Sequence, residues 1–213
     1  SAPMPGGGTL QQADSTSWMA MFSLNMLDMA IEVAQEDHVY EDMAYKFYEH
    51  FIYISAALNR IGDGAANAWD EEEGFFYDVL ALPSGEQIPI KVRSLVGLST
   101  LFASLVLKWE RIGKLPRFFN RIKWFRDYRV QKNKYLVLPE LEEGKDILLS
   151  IITKDRLQRI LEPLLDKKEF FGSNGIRSVS KIHETPYTVN IQGEDFGLQY
   201  QPAESQTHIF GGN

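Results

Sequence analysis

Residues 69–93 read WDEEEGFFYDVLALPSGEQIPIKVR, and the helical spacing of the flanking sequence lapses there. Phe75 to Leu82, a Pro-Ser-Gly-Glu turn, and Ile88 to Val92 predict a short β-hairpin over 75–92. Upstream, Met43, Phe47, Phe51, Ile54 and Leu58 recur at helical spacing between Tyr40 and Asn59, and Gly62 and Gly64 close that helix. Before it, the apolar residues from Trp18 to Ala34 wrap most of a helical wheel, which predicts burial on more than one face. Downstream, Leu98, Leu101, Phe102, Leu105, Val106 and Trp109 predict a third helix over Leu95 to Glu110. Residues 113–135 interleave aromatic and basic side chains as a covering amphipathic helix. Thr153 is a suitable N-cap for a helix over Lys154 to Leu165, which Pro163 should kink or shorten. After Phe171 no helical period is found. The expected class is therefore all-α, with helices in series, long polar loops and one short inserted β-hairpin.

Composition narrows the function. The chain has 213 residues, 29 acidic against 22 basic, and a formal net charge of -7, so a phosphate-binding surface lacks the necessary cationic excess and no nucleic-acid partner is expected. No run approaches the roughly 18 uncharged apolar residues of a membrane span, so no membrane partner is expected. Cysteine is absent, which excludes disulfides, thiolate metal sites and cysteine nucleophiles. His38, His50, His183 and His208 lack His-Glu-x-x-His spacing, and no nucleophile elbow, Walker loop or dinucleotide fingerprint occurs. Neither a metal nor a cofactor is expected.

Three polar loops hold the side chains suited to a ligand. In the first, Gln12 and Asp14 beside Trp18 suit a sugar, whose hydroxyls need bidentate polar partners and whose C–H face packs on a ring. The competing reading is a helix cap by Asp14 or Ser15 with Trp18 in the core. In the second, Trp69 and Asp70 are followed across the hairpin by Lys91 and Arg93. Five carboxylates within residues 69–78 would repel one another in a single pocket, so some must face solvent or pair with those two cations. Glu71 to Glu73 also read as a surface acidic run. In the third, Phe171-Gly172-Ser173-Asn174-Gly175-Ile176-Arg177-Ser178 sets Arg177 after two glycines, either as a rigid clamp on a hydroxyl or carboxylate or as a solvated arginine on a turn.

At GGGTLQQADSTSWMAMF (6–22), WDEEEGFFYDVL with IPIKVRSLVGL (69–98) and FGSNGIRSVS (171–180), the chain resembles the barrel domain of glycoside hydrolase family 63-like enzymes. That group contains processing α-glucosidase and bacterial mannosylglycerate and glucosylglycerate hydrolases. The resemblance implies an (α/α)6 toroid of which residues 1–213 are an internal part. It also implies inverting hydrolysis of α-glycosidic bonds, with an Asp acid and a Glu base that both fall outside these residues. Under it, Gln12, Asp14, Trp18, Trp69, Asp70, Lys91 and Arg93 line or support the sugar pocket, with Trp18 or Trp69 as a stacking wall. Arg177 holds the loop that leads to the next helix. The implied partners are an oligosaccharide or small glycoside and the rest of the same polypeptide. The alternative is a noncatalytic helical carbohydrate-binding or structural module of a larger protein.

Overall fold

The computed structural model describes residues 4–60, 68–129 and 138–202. In chain order the first part forms β1 (Thr9–Gln11), α1 (Ala13–Glu36) and α2 (Glu41–Arg60). The 69–93 stretch gives β2 (Trp69–Asp70), β3 (Phe75–Phe76), β4 (Asp78–Ala81) and β5 (Gln87–Ile90). It is followed by α3 (Leu95–Leu98), β6 (Ser104–Leu107), α4 (Trp109–Ile112) and α5 (Pro116–Arg129). The last part holds β7 (Ile147–Ser150), α6 (Lys154–Leu165), β8 (Phe171–Gly172), β9 (Gly175–Ile176), β10 (Tyr187–Ile191) and β11 (Glu194–Leu198). The glycines at 62 and 64, residues 130–135 of the basic-aromatic stretch and the tail beyond residue 202 lie outside the described residues.

These elements overturn the all-α class and, with it, the partial (α/α)6 toroid. The described residues are mixed α and β, with six helices and eleven short strands in five small antiparallel sheets. The failure is sharpest at 95–110, expected to be one helix. Ser94 caps α3 by accepting the Val96 N–H at 3.3 Å, Ser99 donates to the Val96 carbonyl at 2.7 Å, and Ser104 donates to the Leu101 carbonyl at 3.1 Å. Hydroxyls bonding to nearby backbone groups compete with helix continuation. The chain passes through a 3-10 turn at Ser99–Phe102, and then Ser104–Leu107 pairs with Ile147–Ser150, burying Leu107, Ile147 and Leu149. A partner strand some forty residues away decides this segment, and no local spacing announces it.

The region after Phe171 is likewise ordered by pairing. β10 and β11 form a two-residue hairpin whose turn residues, Gln192 and Gly193, have φ of 53° and 92°. Positive φ at both central positions is what matches the right-handed twist of the flanking strands.

The chain divides into two compact units. The first comprises residues 1–14, 61–99 and 154–213. Its three-stranded sheet has the order β1-β4-β5, with Asp78 opposite Ile90 and Leu10 opposite Leu80. Leu80, Leu82, Ile90 and Val92 pack with Val179, Ile191 and Leu198. Phe75 stacks on Phe170 at 5.9 Å, and Gly97 lies so close that a Cβ there would strike the Phe75 ring and stand 2.5 Å from the Phe76 carbonyl oxygen.

The second unit comprises residues 15–60 and 100–153. Its core is aromatic: Tyr45, Tyr48, Phe118 and Phe125 of α2 and α5 meet edge to face with centroids 6.1–6.3 Å apart. Each large side chain buried in this way contributes roughly 2–3 kcal/mol. The N-terminus of α5 is capped from α2 by the buried Glu41, which accepts the Phe118 N–H at 2.8 Å and meets His38 Nδ1 at 2.9 Å. Arg111 holds α1 through Asp28 at 2.7 Å and Glu32 at 3.0 Å. Helix α1, expected to be buried on more than one face, buries one: Ser17, Ala20, Leu24, Leu27, Ile31 and Ala34 point inward.

Candidate functional site

The first unit gathers its charged residues around the β2–β3 turn. Trp69 pairs with Phe76 and Asp70 with Phe75, leaving Glu71 to Gly74 as the connection. Asp70 organises that turn: its Oδ1 accepts the Glu72 and Glu73 N–H groups at 3.0 and 2.9 Å, and its carbonyl accepts the Gly74 N–H at 2.8 Å. Gly74 adopts φ of 65°, a conformation glycine takes at no steric cost, with the Arg159 guanidinium against its Cα. A carboxylate that accepts turn amides and a glycine that closes the turn together explain why Asp70 and Gly74 bracket the acidic run.

This turn aims Asp70 and Glu73 at the cations of the strand that returns. Lys91 Nζ lies 2.6 Å from Asp70 Oδ2 and 3.0 Å from Glu73 Oε1. Tyr77 donates its hydroxyl to Glu73 Oε2 at 2.5 Å, and Arg93 Nε donates to the Tyr77 oxygen at 3.3 Å. Arg93 Nη1 meets Glu169 Oε1 at 2.7 Å, while Ser180 donates to the other Glu169 oxygen at 3.1 Å. The Arg93 backbone N–H donates to His183 Nε2 at 2.9 Å, which places the proton of a neutral ring on Nδ1.

The electrostatics follow from these contacts. Burial, which acts to raise the Asp70 carboxyl, is outweighed by Lys91 and the two turn amides, which hold it below the usual carboxylate range. Glu73 is also held low: burial works against Tyr77, Lys91 and Arg93, and loses. Lys91 is pushed up by Asp70 and Glu73. His183 is pushed down, first by burial and then by the Arg93 charge. At neutral pH the Asp70 and Glu73 carboxylates are therefore charged beside Lys91, with the neutral His183 imidazole nearby.

Helix α6 closes this assembly from one side. Arg159 Nη2 donates to the Glu71 and Glu72 carbonyls at 2.7 and 2.9 Å, and the Arg156 guanidinium lies 4.8 Å from the Trp69 ring centre. Trp69 is 5% exposed, covered by Phe76 at 4.8 Å and by Arg156, so its part here is to carry arginines. A cavity of about 340 Å³ adjoins the cluster, lined by Glu72, Glu73, Arg93, Arg159, Glu162, Pro163, Asp166 and Glu169.

Trp69, Asp70, Lys91 and Arg93 are thus brought together, and Arg177 is tied to them indirectly. Its Nη1 donates to the carbonyls of Lys167 and Glu169 at 3.2 and 2.9 Å, fixing the segment that presents Glu169 to Arg93. Gln12 and Asp14 stand instead at the junction of β1 and α1. There Asp78 accepts the Ala13 N–H at 2.8 Å. Asp78 is buried, and burial, opposed by that N–H and reinforced by Asp14, pushes its carboxyl up to about 6. Trp18 belongs to the second unit, where its ring lies 5.3 Å from that of Phe102.

Sequence reasoning missed Glu73, Arg156, Arg159 and Glu169. One signal was present: Arg156 and Arg159 are three apart on α6 and so share a face. Glu73 was hidden inside an acidic run that otherwise reads as surface.

Among the described residues no group of three or more His, Asp or Glu is arranged to hold a metal ion, and no helix is long and apolar enough to cross a membrane. No protein-family profile matches the sequence, and no solved structure matches it. The uncharacterized protein YMR196W of Saccharomyces cerevisiae is 41% identical over 227 aligned positions, which take in 100% of this chain and 21% of that protein. The chain therefore spans about a fifth of the length of the curated relative it matches.

Proposed function

We propose that this chain is part of a glycoside hydrolase that cleaves α-glycosidic bonds with inversion, and that its share of the work is to hold sugar hydroxyls beside the Asp70–Lys91–Arg93 cluster. The observation that carries this reading is the polar lining of the 340 Å³ cavity, in which guanidinium donors and carboxylate acceptors converge and only Pro163 is apolar. A sugar hydroxyl donates and accepts at once, so alternating N–H donors and carboxylate acceptors complement a polyol. Arg93 and Arg159 would donate to hydroxyl oxygens, while Glu162 and Asp166 would accept from hydroxyl protons. Arg177 and Glu169 act as positioning residues.

Inversion needs an acid and a base with room for a water between them, about 6.5–9.5 Å apart. Neither role falls to the carboxylates of the cluster. Asp70 and Glu73 are committed to Lys91, and Glu169 to Arg93. Asp78, although held near neutrality in its affinity for protons, caps α1. The acid and base belong to a longer polypeptide in this reading.

The internal pairing of the cluster favours a second reading, a structural or carbohydrate-binding module without catalysis. Calorimetry of the chain with methyl α-glucoside and methyl α-mannoside tests the sugar site at this cavity, which a purely structural module would lack. Millimolar binding that weakens five- to tenfold in Glu162→Ala supports the sugar site, and no heat from either sugar refutes it. Polarimetric detection of the released anomer with the longer protein tests the reaction itself. Retention of configuration, or no hydrolysis of any α-glycoside, refutes the catalytic part.

A further inference from the structure

The outer face of α1 is a feature that a sugar site leaves unexplained. Opposite its buried stripe, Trp18, Met19, Phe22, Met29 and Val33 are between 45% and 63% exposed. Exposed apolar residues scattered singly need no explanation, but five large ones along one face of one helix form a patch of the kind that marks an interaction site. From Trp18 to Val33 the patch runs fifteen residues, about 22 Å along the helix axis.

Its charge selects what can cover it. Over Ala13–Glu36 the sequence has Asp14, Asp28, Glu32 and Glu36 and no lysine or arginine. Arg111 answers Asp28 and Glu32 from one flank. Glu32 and Glu36 follow Met29 and Val33 by three residues, which sets them along the edge of the patch. A second copy of this helix would bring only more carboxylates to that edge, and an anionic lipid surface would be repelled by it. A helix with an apolar stripe bordered by Lys or Arg satisfies both requirements. The yeast relative matches this chain along its whole length and yet extends to nearly five times that length, so a long stretch of further polypeptide accompanies this segment there.

We infer that the Trp18–Val33 face of α1 is a docking surface for a basic-edged amphipathic helix of at least about sixteen residues, contributed by the remainder of a longer polypeptide. The surface stands whether or not the Asp70–Lys91 cluster takes a sugar.

The test uses the 213-residue chain and two synthetic helices added in trans, one with a leucine stripe edged by lysine and one with the same stripe edged by glutamate. Anisotropy of the labelled lysine peptide is expected to report micromolar binding, with the glutamate peptide at least tenfold weaker. Because the net charge of -7 attracts any cationic peptide, site variants decide the matter. Phe22→Ser with Met29→Ser should weaken the lysine peptide at least tenfold while circular dichroism is unchanged. Leu148→Ser, exposed on β7, should leave binding as it was. Equal affinity for both peptides, or binding indifferent to the double variant, overturns the inference. So does a concentration-dependent dimer abolished by that variant, which would give the face to a second copy. Partition into phosphatidylcholine–phosphatidylglycerol vesicles lost in the same variant would give it to lipid and overturn it too.

Discussion

Replacing Asp78 by asparagine should make the protein more stable at neutral pH, although it removes a charge from a helix N-terminus. Asp78 lies in β4, 7% exposed, and accepts the Ala13 N–H that opens α1. Ordinarily a carboxylate at that position is favoured by the helix dipole. Here burial outweighs the N–H, Asp14 adds repulsion, and the carboxyl rises from 3.8 to about 6. That rise corresponds to about 3 kcal/mol. In the pH interval between the two values the folded state holds a proton that the unfolded state has released. The stabilisation from the protonated Asp78 is thus fully present below about pH 4 and is lost as pH rises through about 6. Asparagine retains a carbonyl to accept the Ala13 N–H and has no ionisation to suppress. Asp78→Asn should therefore match the native chain near pH 4 and exceed it above pH 7 by up to about 3 kcal/mol, or about 6–12 °C in Tm for a chain of this size. Asp78→Ala loses the acceptor and should be destabilised at pH 4 by about 1 kcal/mol or more. Urea unfolding followed by circular dichroism at half-unit steps from pH 4 to 8 measures both. A native-minus-variant difference that does not change with pH, or an asparagine variant less stable at pH 7.5, would refute the burial argument.

Three other substitutions probe separate parts of the fold. Glu41→Ala should cost about 2–3 kcal/mol, since it strips the cap from the Phe118 N–H in a buried position, whereas Glu41→Gln should recover most of that in urea titrations. Gly97→Ala should cost about 1–3 kcal/mol or prevent folding, because the added methyl meets the Phe75 ring and the Phe76 carbonyl; unchanged Tm would show that α3 can move away. Lys91→Met releases Asp70 and Glu73, which are held low in the fold. Their contribution, present above the ordinary carboxylate range and lost as pH falls, should shrink, so acid unfolding should begin at a higher pH while stability at pH 7 changes by about 1 kcal/mol or less.

The sequence was most legible where a segment carries its own partners. The spacing of Met43, Phe47 and Phe51 announces α2, and Thr153 and Asp155 mark the start of α6 at Lys154. The Pro-Ser-Gly-Glu turn announces the β4–β5 pairing. The same holds for part of the candidate site: opposite charges on Asp70 and Lys91, with a hairpin between them, point to the pair that forms at 2.6 Å. Reading stopped where a partner is remote. Ser104 to Leu107 fits a helical wheel as well as a strand, and only Ile147 to Ser150 decides between them. At the start of α1 the Ala13 N–H goes to Asp78, on a strand 65 residues away, a partner that no local spacing announces.

By itself the sequence determined the acidic balance, the lack of thiol chemistry, the helices whose apolar face is periodic, and the charge pairing across the 69–93 hairpin. Tertiary structure alone decided that the class is mixed, that Trp69 carries arginines, and that one apolar face of α1 is open. The physical reason is that periodicity reports which residues avoid water but not what they meet. Backbone pairing and the burial of a carboxylate or an indole are set by segments that the chain brings together only on folding.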